Sequence, residues 1–318
     1  MMRRSWFSAL TASSLAASLV LPGFALADDP ALLFDVKDLV AGKTIDKSDC
    51  EALPHHAWIE AVAGGPSCLR YFPSDVVGNA DRALIVLFPD MLNLQARGGR
   101  PAPYGSYRFS PKSLSNQASA LAARYGGPVV VLARPGTFGS SGYERTDRHT
   151  FREVGLINSA IDQIKTDLHL TGIDIVGQSA GGSLAVAMAE QRTDVRCAVA
   201  SSGALSSVEA QVAVGFKPNA AYLARTYDPL QFVDKLMNKP ALRLIAVSDL
   251  DDKAVVQSST LHFLAELARR KTPYLHIHAE ASDADHHDLT AAGQRAAIVC
   301  AHGEPDDTIV DRVGSRAP

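Results

Sequence analysis

The stretch TGIDIVGQSAGGSLAVAMA, Thr171 to Ala189, decides how the rest of the chain is read. Its first half, Ile173-Asp174-Ile175-Val176, has the β-branched, apolar character of a buried strand, and its second half is rich in small residues and helix formers. Between them stands Gly177-Gln178-Ser179-Ala180-Gly181. A strand of a parallel sheet that turns at once into a helix holds one side chain up at the sheet's carboxyl edge, in a strained backbone conformation, if its neighbours are small enough not to clash. Gly177, Ala180 and Gly181 supply that room. The helix that starts there offers unpaired N–H groups and the positive end of its dipole to negative charge developing beside it. Ser179 is therefore placed to attack a carbonyl carbon. The bland alternative is a glycine-rich turn with a serine cap, and the strand before and helix after weigh against it.

Working outward, apolar runs recur along the chain: CLRYF (68–72), ALIVLF (83–88), PVVVLA (128–133), IDIVG (173–177), CAVASS (197–202), LRLIAVS (242–248) and YLHIHAEA (274–281). Most lack strict alternation, as strands do when both faces are buried. Between two of them Val154, Ile157, Ile161, Ile164 and Leu168 return at spacings of three and four, which makes one apolar helical face. Strands alternating with helices predict an α/β protein with a mainly parallel sheet flanked by helices on both faces. The longest interval between strands, 204–240, has room for a small helical insertion, and the polar tail from His302 to Pro318 is expected to be loosely ordered.

The chain has 318 residues, 47% of them hydrophobic, and a formal net charge of −3. That is enough apolar material for one sizeable core, and no run of five like charges points to nucleic acid or a membrane surface. Residues 1–27 read as an export signal: Arg3 and Arg4, then an apolar stretch, then Ala25-Leu26-Ala27 before two aspartates. Its removal takes away two arginines and no acid, so the charge falls from −3 to −5 and a single domain, 28–318, is left in the periplasm or outside the cell. No membrane span is expected after cleavage. The four cysteines are an even number in an exported chain, which favours disulfides. Cys50 and Cys68 share one N-terminal stretch and are paired, leaving Cys197 with Cys300.

With these residues in view the chain resembles an α/β-hydrolase from about Leu69 to Cys300. The elbow Gly177–Gly181 carries most of the likeness; the loop RPGTFGSSG (134–142) after a strand resembles the family's Arg-Pro-Gly…Ser-x-Gly loop. The family's order is serine, acid, histidine, each at the carboxyl end of a strand. The resemblance implies an acid in SDLDDKAVV, where Asp252 stands three residues before Val255, with Asp251 as the alternative. It implies a histidine in SDADHHDLT, where His287 is preferred to His286. An oxyanion hole is expected from the Ala180 N–H and from the loop after ALIVLF. There the family's His-Gly is replaced by Phe88-Pro89, and counting along places the Met91 N–H as second donor.

These residues together imply acyl transfer to water through a Ser179–His287–Asp252 triad, with no cofactor. A carboxylic ester is the expected substrate and a short peptide the alternative, because both chemistries use this triad on this fold. A non-catalytic binding protein on a hydrolase scaffold is the competitor from another class, on the strength of the lost His-Gly. The cluster DADHHD (283–288) lacks a second ligand group elsewhere, so no metal is assigned. The sequence carries no signal for oligomeric state.

Overall fold

The computed structural model describes residues 33–60, 62–75, 80–94 and 100–317. The export signal expected at 1–27 lies outside them. In chain order the strands are β1 (His56–Ile59), β2 (Ser67–Pro73), β3 (Arg82–Leu87), β4 (Leu92–Asn93), β5 (Ala102–Pro103), β6 (Val129–Leu132), β7 (Gly172–Gln178), β8 (Val195–Ser201), β9 (Arg243–Ser248), β10 (Leu275–His278) and β11 (Ser315–Arg316). Nine of them form one sheet in the order β1-β2-β6-β3-β7-β8-β9-β10-β11, and β4 pairs with β5 apart from it. The six strands from β6 to β10 in that order run parallel, and β1, β2 and β11 close the edges antiparallel.

The unbroken apolar runs are explained by burial on both faces. In β3, Ala83, Ile85 and Leu87 belong to one core and Leu84 and Val86 to the other. The first core is covered by helices Phe151–Asp167, Ala180–Gln191 and Gln257–Arg269. Helices Pro111–Tyr125 and Thr290–Ala301 cover the second. Val154, Ile157, Ile161 and Ile164 all face the first core, as their spacing predicts. Asp174, the one acid inside a central strand, is fully buried and held by the Tyr125 hydroxyl (2.9 Å), the Cys197 N–H (3.0 Å) and Arg196 (3.1 Å).

Both disulfides form as paired from the sequence, Cys50–Cys68 and Cys197–Cys300. The interval between β8 and β9 holds helices Ser207–Ala213 and Ala220–Arg225 and a 3-10 helix, Pro229–Leu236. The tail departs from expectation. Helix Asp306–Val313 and β11 are ordered, because Ile309 and Val313 pack into the second core and Ser315 and Arg316 pair with β10. Three apolar residues, Ile309, Val310 and Val313, in an eight-residue helix are too few to be read as amphipathic, yet they suffice when a strand edge waits beside them. Among the described residues no helix is long and apolar enough to cross a membrane.

The topology itself marks a crevice. From β3 the chain crosses to β6 on one side, then returns to β7 on the other and continues through β8, β9 and β10. At such a switch point the loops leaving the carboxyl ends of β3 and β7 separate and leave an opening.

Candidate active site

Ser179 stands at that opening, directly after β7 and as the cap of helix Ala180–Gln191. Its φ of 56° and ψ of −120° are strained for a residue with a β-carbon, and its N–H is tied to Ser201 O of β8 at 2.8 Å. The flanking glycines are required by contact. A β-carbon on Gly177 would lie 1.9 Å from Gly181 O, and one on Gly181 would lie 2.4 Å from Leu87 O and 2.7 Å from Phe88 O. The loop after β3 therefore runs against the first turn of the elbow helix. In that turn the Gly182 and Ser183 N–H groups return to Ser179 O, at 2.9 and 3.1 Å. Among the described residues the Ala180 N–H has no acceptor, and Ser179 Oγ has no hydrogen-bond partner.

The loops after β9 and β10 bring the candidate acids and histidines together in two pairs. His287 Nδ1 lies 2.9 Å from Asp252 Oδ2 and 3.1 Å from Oδ1. The Asp252 side chain is 4% exposed, and its Oδ1 also accepts from the Ala254 and Val255 N–H groups at 2.8 and 2.9 Å. That is the structural content of the Asp252-to-Val255 spacing: the acid caps the turn that follows it. His286 Nδ1 instead lies 3.2 Å from Asp249 Oδ2. Asp249 also accepts from the Asp251 and Ala281 N–H groups, and although burial works to raise its pKa, these donors and His286 hold it below the usual carboxylate range. Asp251 is exposed. One ligand atom each of Asp249, Asp251 and His286 falls within a 4.8 Å group, but the Asp249 oxygens are already used by those donors.

Further bonds set the histidine loop. Asp283 Oδ1 accepts from the His287 and Asp288 N–H groups at 2.8 and 2.7 Å, and Lys253 Nζ reaches Ala284 O at 2.7 Å. Gln178, next to Ser179, donates to His287 O at 2.5 Å, which joins the elbow to this loop. The sequence carried no mark of Asp283 or Gln178 as supports, since their partners are defined only by the folded loops.

The loop after β3 corrects one expectation. The Met91 N–H donates to Glu144 Oε1 at 2.7 Å, so it is engaged inside the protein, and Met91 is fully buried. The Asp90 N–H, one residue nearer β3, has no acceptor among the described residues. The Asp90 side chain joins Arg134 (2.9 Å) and Arg148 (3.1 Å). Arg134, 1% exposed, also binds Glu153 at 2.8 Å. Burial works to raise the Asp90 pKa, but Arg148 and Arg134 overcome it and hold Asp90 well below the usual carboxylate range.

The family described as alpha/beta hydrolase matches residues 85–314. A puromycin-hydrolyzing peptidase of Mycobacterium tuberculosis is similar in structure with a TM-score of 0.54 and 19% identity, over 79% of this chain and 39% of that one. Est1E of Butyrivibrio proteoclasticus, solved with ferulic acid bound, has a TM-score of 0.51 and 16% identity over 81% of this chain and 99% of its own. At such identities the likeness concerns the fold. No curated protein matches the sequence.

Proposed function

The chain belongs to the alpha/beta hydrolase family, and from that premise we propose that it is an exported serine hydrolase that cleaves a carboxylic ester. Ser179 attacks the carbonyl carbon, and His287 takes the hydroxyl proton on Nε2 and returns it to the leaving alcohol. Asp252 accepts a hydrogen bond from the Nδ1–H, which fixes the tautomer that leaves Nε2 free to act as base, and it stabilises the imidazolium that follows. Water then repeats the sequence on the acyl-enzyme. The Ala180 N–H binds the oxyanion at the helix N-terminus, and the Asp90 N–H serves as the second donor in place of Met91.

The observation that carries this reading is the strained Ser179 at the switch point, with the Gln178 side chain before it bonded to the backbone of a His287 whose Nδ1 meets a buried carboxylate at 2.9 Å. The choice of an ester over a peptide rests on the sequence reading, since the likeness to Est1E and to the peptidase concerns the fold alone. Two disulfides support export to an oxidising compartment. The test is labelling by a fluorophosphonate, which needs an activated serine, followed by turnover of p-nitrophenyl esters against aminoacyl naphthylamides. Labelling at Ser179 with ester turnover is expected. Amide turnover alone would move the substrate to peptides, and no labelling of folded protein would leave a binding protein on a hydrolase scaffold.

A further inference from the structure

Glu144 is fully buried, its Oε1 accepts the Met91 N–H, and its Oε2 has no hydrogen-bond partner among the described residues. Its Oε1 also lies 3.9 Å from the Arg134 guanidinium, but a buried acid with one oxygen unpartnered still costs folding free energy, so stability alone does not explain its presence. Burial first, and then the neighbouring Asp90 charge, push its pKa up to about 7. Its position is built by the 134–142 loop. Gly136 has a φ of 75°, and a β-carbon there would lie 2.5 Å from the Glu144 N, so only glycine lets the Glu144 backbone come this close. What Glu144 holds is the loop beside the elbow. Met91 is gripped at both ends, its N–H by Glu144 and its carbonyl by the Tyr104 N–H at 2.9 Å. The residue before it, Asp90, is anchored through Arg134 and Arg148.

We propose that Glu144 is a positioning residue for the oxyanion-binding loop, clamping the Met91 peptide so that the adjoining Asp90 N–H faces the oxyanion formed at Ser179. The inference rests on the serine-hydrolase reading and supplies what the Phe88-Pro89 replacement of His-Gly removes from this chain. Pro89 has no N–H of its own, so the loop depends on an external acceptor to set the next peptide planes. Glu144 does not touch substrate; it acts through Met91.

The experiment compares kcat and KM of wild type, Glu144→Gln and Glu144→Leu on one p-nitrophenyl ester, with melting temperatures alongside. Glutamine keeps an acceptor for the Met91 N–H and is expected to remain within about threefold of wild-type kcat. Leucine keeps volume and removes the acceptor. Loss of a whole oxyanion donor costs about 10²–10³ in kcat, and a donor left in place but loosened is expected to cost on the order of tenfold, with KM little changed. Leucine at wild-type kcat, or glutamine and leucine equally impaired, would overturn the proposal. Should the leucine variant not fold, amide hydrogen exchange on the wild type decides. The Met91 amide must be protected before inhibition, and protection that appears only on forming a phosphonyl adduct at Ser179 would refute the clamp. A wild type that fails to react with fluorophosphonate fails the underlying reading instead, and the inference falls with it.

Discussion

The bond between Cys197 and Cys300 closes a loop with a sequence separation of 103, whereas Cys50–Cys68 closes one of 18. If each acts by restricting the unfolded chain, loop entropy assigns about 4.7 kcal/mol to the long loop and about 3.2 kcal/mol to the short one. Both pairs are fully buried at every cysteine, to within 1%. Replacing each pair by alanines therefore leaves similar cavities, and the difference of about 1.5 kcal/mol isolates the loop contribution. Unfolding entropy of about 2.1 cal/mol/K per residue gives roughly 0.6 kcal/mol/K for residues 28–318. Cys197→Ala with Cys300→Ala should thus lower Tm by about 8 °C, and Cys50→Ala with Cys68→Ala by about 5 °C. Catalysis should be spared at temperatures well below the transition. Cys197 lies near the start of β8 and Ser201, which accepts the Ser179 N–H, at its end, four residues or about 13 Å away along the strand. Calorimetry at several scan rates, with kcat measured on the same preparations, checks this. A larger loss from the short loop, or a fall in kcat that tracks the long one, would refute the reasoning.

The two histidine–aspartate pairs separate cleanly by mutation. His287→Ala should lower kcat by about 10⁶, as removal of Ser179 would, while His286→Ala should cost less than tenfold. Asp252→Asn should cost about 10⁴ and Asp251→Asn little, as steady-state kinetics on one ester would show. Gly181→Ala drives a methyl against Leu87 O and Phe88 O, and should destabilise by roughly 3 kcal/mol in urea titration; a midpoint equal to wild type would show that the elbow and the β3 loop part easily. Glu190 is buried with Oε1 unpartnered, and burial raises its pKa well above 4.5. A carboxyl whose folded pKa is raised favours the fold below its unfolded value and loses that contribution as pH rises through the folded one. Glutamine cannot ionise, so the stability of Glu190→Gln relative to wild type should increase from pH 4.5 upward; denaturation at a series of pH values that shows a flat difference refutes it.

The seven apolar runs all became strands, because a strand buried on both faces writes its environment into consecutive residues. The strand His56–Ile59, the β4–β5 hairpin and the terminal helix escaped notice. Each is short or mostly polar and owes its form to a neighbour already in place. Within the site, the elbow was legible from five residues, since Gly177 and Gly181 answer a clash inside the motif and with the strand beside it. Glu144 was not legible. Nothing in GSSGYERTD distinguishes it from a surface acid until Gly136 meets its backbone and Arg134 lies 3.9 Å from its Oε1.

By itself the sequence determined what depends on steric fit and solvation over a few residues: alternating strands and helices, a serine on a strained turn, and an aspartate three residues before Val255. The tertiary structure decided the contacts across long separations that the sequence reading left as preferences or missed. His287 joins Asp252 and His286 joins Asp249, over 35 and 37 residues, and the Met91 N–H turns to Glu144 over 53. Adjacent side chains in a loop point in different directions, and the backbone path that chooses between them is set by contacts such as Lys253 with Ala284 and Asp283 with His287, which exist only once the loops have closed on one another.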